Sequence, residues 1–134
     1  MYETIELEIP FYDLDPMQVV WHGNYIKYFE RARCALLAKI GMTYIDMNDA
    51  GYAFPVVKLS VKYIRPCTFG QRIIVKATLI PSDSFLIFDY EITDATSGTK
   101  ICHAQTKQMA FDIANECSLC IIPEPFLSKI QGAK

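Results

Sequence analysis

Two aspartates, Asp13 and Asp15, stand two residues apart in the stretch FYDLDPMQVVWHGNY, residues 11–25, with Pro16, the only tryptophan (Trp21) and one of two histidines (His22) close behind. Carboxylates in front of a segment that turns helical can serve two ends. They can bond the free amides of the first helical turn and sit well at the positive end of its macrodipole. They can also face those amides across a small volume, so that a carbonyl placed between has its oxygen held by N–H groups and its carbon open to an oxygen nucleophile. Capping accounts for one aspartate at most. Asp15 precedes Pro16, which pushes its backbone out of the α region, so its carboxylate is aimed by a stiff joint. Spacing alone leaves capping and chemistry equally open.

Other chemistries fit less well. A DxD formed by Asp13 and Asp15 would suit a metal-bound diphosphate in a larger protein of alternating strands and helices, a pattern this chain lacks. A metal held by Asp13, Asp15 and His22 has no helical pair of ligands behind it, and His103, among polar neighbours on a strand, reads as structural. The five cysteines, Cys34, Cys67, Cys102, Cys117 and Cys120, are odd in number and irregular in spacing, which argues for reduced thiols. Most are expected to be small core residues. The CxxC from Cys117 to Cys120 has no second ligand pair and no βαβ unit around it, so it too is read as structural.

The elements that must position the aspartates follow from periodicity. TIELEIPF, residues 4–11, alternates Ile5, Leu7, Ile9 and Phe11 against Thr4, Glu6 and Glu8, which predicts a half-buried strand. From Asn24 the period lengthens: Tyr25, Phe29, Ala32, Leu36 and Ile40 mark the apolar face of a long helix, with Gly41 as its stop. A short helical turn is expected over residues 43–49. Beyond Pro55 four alternating segments follow, at about 57–63, 72–80, 85–93 and 100–111, with a turn at Thr96, Ser97 and Gly98. Successive strands imply hairpins. In the last segment the alternate residues Cys102, Ala104, Thr106 and Ala110 are small, as expected of a face with a helix close against it. A short terminal helix is expected from Glu124.

Strand, long helix, then four strands is an α+β order, and the solution it suggests is one five-stranded antiparallel sheet curled around one helix. With 134 residues and 51% hydrophobic content, a single domain over 1–134 has an adequate core. A formal charge of −2 with scattered basic residues gives no field that would gather nucleic acid. The opening MYETIELE does not read as a secretory signal, and no apolar run approaches the ~20 residues of a membrane span. A soluble cytoplasmic protein is the expectation.

The segment DLDPMQVVWHGNYIKYFERAR, residues 13–33, resembles the signature of the hotdog-fold acyl-CoA thioesterases of the 4-hydroxybenzoyl-CoA thioesterase-like branch: an Asp followed by a small residue or Pro, an apolar pair, an aromatic, Asn-Tyr, and a helix. The order of elements is similar to that fold over nearly the whole chain. The resemblance implies hydrolysis of an acyl thioester to free acid and thiol, with Asp15 as nucleophile or general base and the backbone amides at His22 and Gly23 polarising the carbonyl. It implies substrate contacts near Asn24, Tyr25, Ala53 and Val57. Ala53 stands where some relatives have a glycine, and Met17 and Gln18 are bulkier than the usual small pair. Lys58, Lys62, Arg65 and Arg33 are candidates for the CoA phosphates. No cofactor is expected beyond the CoA or pantetheine of the substrate, and no metal. The implied partners are an acyl-CoA or acyl-carrier-protein substrate and a second copy of the chain, as a homodimer or homotetramer. Two other functions would use the same scaffold: hydration or dehydration of an acyl thioester, and non-catalytic binding of one.

Overall fold

The computed structural model describes residues 1–132. The first strand, β1, runs Tyr2–Glu8 and the long helix, α1, runs Tyr25–Lys39. A short helix α2 (Tyr44–Asp49) follows, then β2 (Tyr52–Ala53), β3 (Val56–Tyr63), β4 (Arg72–Ile80), β5 (Leu86–Asp94), β6 (Lys100–Gln108), β7 (Phe111–Asp112), β8 (Cys117–Ser118) and the terminal helix α3 (Phe126–Gly132). β1 is shorter than its alternation suggested. Pro10 has no N–H to donate to a ladder, and Phe11 leaves the sheet in a 3-10 turn with 71% of its surface exposed.

The main sheet is antiparallel throughout, in the order β1-β4-β5-β6-β3. Only β4, β5 and β6 are joined as successive hairpins. β3 instead crosses to the far side and pairs with β6, which leaves its other edge open. β2, β7 and β8 form a small separate sheet. Register places Ile5, Val75, Ile92 and Cys102 in one row across the four strands β1, β4, β5 and β6, the last three buried and Ile5 half-buried against the core. Burying such side chains contributes roughly 1.5–3 kcal/mol each relative to leaving them exposed.

α1 buries Tyr25, Phe29, Ala32, Leu36 and Leu37, positions three and four apart that form one continuous face. It ends where Gly41 takes φ +73°, letting Met42 N–H reach back to the Leu37 carbonyl. α2 opens with a capping box: Thr43 and Asp46 each accept the other's backbone amide. The backbone of α1 packs closest to β1 and β4, not to β6. The small residues of β6 make room for polar side chains instead. Tyr90 of β5 stacks on Phe29, bonds Thr106 Oγ1 at 2.7 Å, and accepts from the buried Arg33 at 3.2 Å.

Candidate active site

The loop between β1 and α1 is a tight hairpin closed at its base by a bridge between Leu14 and Val20. Asp15 N–H donates to the Val19 carbonyl at 2.8 Å, and Gln18 N–H to the Asp15 carbonyl at 2.9 Å. Pro16 fits the second position of this turn, and Gln18 completes it in the left-handed region at φ +66°. One carboxylate oxygen of Asp15, Oδ1, accepts the Met17 amide at 2.9 Å. Turn chemistry therefore occupies one oxygen of Asp15. Among the described residues no hydrogen bond is recorded to the other, Oδ2.

Asp13 has the opposite surroundings. It is 3% exposed, and its carboxylate accepts from Lys27 Nζ at 2.8 Å and from the Tyr28 hydroxyl at 2.6 Å. Burial, followed by the Asp13 carboxylate, pushes the Tyr28 phenol well above its ordinary pKa. The Asp13 carbonyl takes the Trp21 amide at 3.1 Å and the Asn24 side-chain amide at 2.8 Å. Asp13 thus orders the loop, but not as a cap. Both its carboxylate partners come from the side of α1, and no helix-start amide donates to it.

His22, Gly23 and Asn24 form a single 3-10 turn that leads into α1. The amides of His22 and Gly23 open that turn, ahead of its first closing bond from Asn24 N–H to the Trp21 carbonyl. The turn is pinned from β3 by the Tyr63 hydroxyl, which donates to the His22 carbonyl at 2.8 Å. Val20 N–H is held by the Cys67 carbonyl at 2.9 Å. Gly23 is needed for space, because a Cβ there would overlap the ring of Trp21.

A cavity of about 300 Å³ lies between the hairpin, the helix start and the end of β3. Asp15, Met17, Val19, Val20, His22 and Tyr25 line it on one side, and Tyr63, Ile64, Arg65 and Pro66 on the other. Of the residues singled out in the sequence, the structure brings together Asp15, His22, Tyr25 and Arg65. Asn24 spends its side-chain amide on Asp13 and does not line the cavity. Ala53 and Val57 lie at the opposite end of β3, and Lys58 and Lys62 are paired in register with Lys107 and His103 on the outer side of the sheet. Arg33 is buried, as part of the cluster with Tyr90. Tyr63, Ile64, Val19 and Val20 were not singled out, although Tyr63 is the last residue of its alternating segment before the break at Pro66.

Two of the five cysteines, Cys67 and Cys102, are buried, and the other three are exposed, the CxxC pair included. The expectation of mostly core thiols is corrected accordingly: Cys117 and Cys120 lie on β8 and just after it, at the margin of the small sheet. Desolvation pushes the Cys102 thiol up to about 12. Among the described residues no three His, Cys, Asp or Glu side chains are grouped to hold a metal, and no helix is long and apolar enough to cross a membrane.

The family profile of the thioesterase-like superfamily matches residues 9–130. The chain belongs to this superfamily. This thioesterase-like chain is 31% identical over 88 residues to a putative acyl-CoA thioesterase of Bacillus subtilis, covering 65% of this chain and 64% of that one. It is 27% identical over 129 residues to an acyl-acyl carrier protein thioesterase of Arabidopsis thaliana chloroplasts, covering 96% of this chain and 67% of that one. The matched region is thus about two thirds of the length of these relatives. Among solved structures, the DHNA-CoA thioesterase of Staphylococcus aureus superposes with a TM-score of 0.87 at 25% identity, covering 98% of this chain and 89% of that one. The five-stranded sheet and its helix are the hotdog fold.

Proposed function

We propose that this protein hydrolyses an acyl thioester, with Asp15 as the reacting carboxylate and the amides of His22 and Gly23 as the donors that hold the carbonyl oxygen. The observation that carries this reading is the free oxygen of Asp15 on the wall of the same cavity as the helix-start turn. The carboxylate delivers oxygen to the carbonyl carbon by one of two routes. As a nucleophile it expels the thiolate and forms a mixed anhydride, which water then cleaves. As a general base it takes a proton from a water that attacks directly. In both, one water is consumed, the C–S bond breaks, and the products are a free acid and a thiol. Two N–H donors at the developing oxyanion are worth several kcal/mol in a site from which water is excluded. A single turnover in 18O-water identifies the nucleophilic route when water cleaves the anhydride at the Asp15 carbonyl: the label then enters Asp15 and an enzyme oxygen leaves in the first acid, whereas the general-base route labels the acid alone.

The active unit in this reading is a homodimer built on β3. Its open edge exposes Val56, Val57, Leu59, Tyr63 and Ile64, an apolar strand that is a template for pairing with a second copy. Antiparallel pairing sets opposite ends of the two strands side by side. β3 is eight residues long, so its ends lie roughly 23 Å apart within one chain. Pairing therefore brings the Asp15 cavity, at the Tyr63 end, beside the partner's Val56 end, where an apolar cavity opens. Arg65, at the mouth of the Asp15 cavity, is the cation placed for a phosphate or pantetheine of the substrate. No cofactor enters the chemistry.

The test is release of free thiol from a panel of acyl-CoAs and acyl-carrier-protein thioesters, run alongside light scattering at micromolar protein. Hydrolysis by a dimer is expected. Absence of hydrolysis with retained acyl-CoA binding would make the protein a binding module, and a monomer mass would remove the shared site.

A further inference from the structure

The mainly apolar cavity at the start of β3 has a volume of about 570 Å³ and is walled by Met47, Tyr52, Ala53, Phe54, Pro55 and Phe111, with Tyr44 and the exposed Asn48 also lining it. Its walls are greasy, yet one polar cluster stands behind them. The Tyr44 hydroxyl accepts from Arg33 Nε at 2.7 Å and from Gln108 Nε2 at 3.3 Å. A phenol oxygen has two lone pairs and one proton to give. Both donors are served by the lone pairs, and among the described residues no acceptor is recorded for the proton. Gln108 is 1% exposed; its amide nitrogen also donates to the Phe54 carbonyl at 2.6 Å, while its oxygen, Oε1, is buried without a hydrogen-bond partner among the described residues. Buried polar atoms are normally paired. Arg33 adds a cation that is 6% exposed, and its carboxylate partner, Glu30, is 3.7 Å away and largely in solvent.

We propose that Tyr44, held in place by Arg33 and Gln108, is a specificity residue that reads an oxygen carried on the acyl group, at a carbon remote from the thioester. The inference rests on the thioesterase reading and on the shared dimer site, in which this cavity receives the acyl group that Asp15 attacks in the other copy. A purely hydrocarbon acyl chain would fill the apolar walls and leave the Tyr44 proton unanswered. A hydroxyl on the acyl group answers it by accepting from the phenol. Buried polar groups left unpaired by the wrong ligand are what gives a hydrogen-bonding site its discrimination.

Two matched pairs of esters test this: phenylacetyl-CoA against 4-hydroxyphenylacetyl-CoA, and octanoyl-CoA against 8-hydroxyoctanoyl-CoA. In at least one pair the wild-type protein is expected to favour the hydroxylated ester by about tenfold in kcat/KM, the worth of one good hydrogen bond. Tyr44→Phe, which keeps the ring and removes the hydroxyl, should erase that preference, bringing the ratio of the two kcat/KM values close to one. The plain ester reports any folding defect, because a damaged site loses both members of a pair alike. No preference in either pair, or an equal fall for both members in Tyr44→Phe, would overturn the proposal while leaving the hydrolase reading intact. Absence of hydrolysis of all four esters would bring down the hydrolase reading and this proposal with it.

Discussion

Asp13 and Asp15 are the same side chain two residues apart in one loop, and the fold treats them in opposite ways. Asp13 is turned inward, where a cation and a phenol from α1 satisfy its carboxylate. Asp15 lines the cavity; a single backbone amide satisfies one of its oxygens, and the other accepts no hydrogen bond among the described residues. Regular alternation would set Asp13 and Asp15 on one side; instead Asp13 closes the 3-10 turn of Phe11–Asp13, while Asp15 lies beyond the Leu14–Val20 bridge, in the hairpin turn. A carboxylate with both oxygens bound within the fold is a fastener. One with sites to spare can do chemistry.

The largest expected effect lies on the Asp15 side of this contrast. Asp15→Asn keeps the size and the oxygen that accepts the Met17 amide, and removes the charge. Thiol release should fall by at least about a hundredfold, the low end of what losing a general base or nucleophile costs, with a melting temperature close to wild type. Steady-state rates on the best ester and a melting curve check it, and a fully active variant would end the assignment of Asp15.

Asp13→Asn should show the mirror image. The amide still offers an oxygen to the Tyr28 hydroxyl, but the ion pair with Lys27 is gone. Lys27 is 54% exposed in its side chain, so solvent screens much of that pair and the cost is about 1–2 kcal/mol, short of the figure for a fully buried pair. The melting temperature should drop by several degrees and much of the turnover should survive, the loss being a few-fold from a looser hairpin. Equal activity losses in the two variants would erase the distinction between fastener and reacting group.

How far this contrast was legible in the sequence depends on which contacts are local. The stiffness of Asp15 could be read from Pro16 alone, and the long helix, its glycine stop and the short helical turn over residues 43–49 from spacings of a few residues. The partners of Asp13 could not, because Lys27 and Tyr28 are fourteen and fifteen positions away and carry no mark of facing back. The same holds for Tyr63 and Arg65 beside Asp15. They arrive there only because β3 crosses the sheet to pair with β6, a choice of edge that alternation within β3 does not encode. Lys58 and Lys62 show the converse: their charge suggested phosphate contacts, but the pleat sends them to the outer face with Lys107 and His103. Ala53 and Val57 looked like neighbours of Asp15 and lie at the other end of the strand, where only a second copy could return them to it.

The smallest expected effect belongs to His22, whose side chain and backbone the fold again uses differently. Its carbonyl is tied to the Tyr63 hydroxyl, and its amide opens the turn at the cavity. Its imidazole packs edge-on to the Tyr63 ring at 6.2 Å and against Trp21 at 5.2 Å, both partners being exposed aromatics. Removing the ring therefore loosens two surface contacts worth about 0.5–1.5 kcal/mol each at most and leaves both backbone groups in place. His22→Ala should retain hydrolysis within about fivefold of wild type in kcat/KM. An alanine variant as inactive as Asp15→Asn, with its melting curve unchanged, would instead make the imidazole an acid or base in the reaction. The carbonyl oxygen would then be held by a side chain and not by the start of the helix, and pH profiles of the two variants would differ in the limb that disappears.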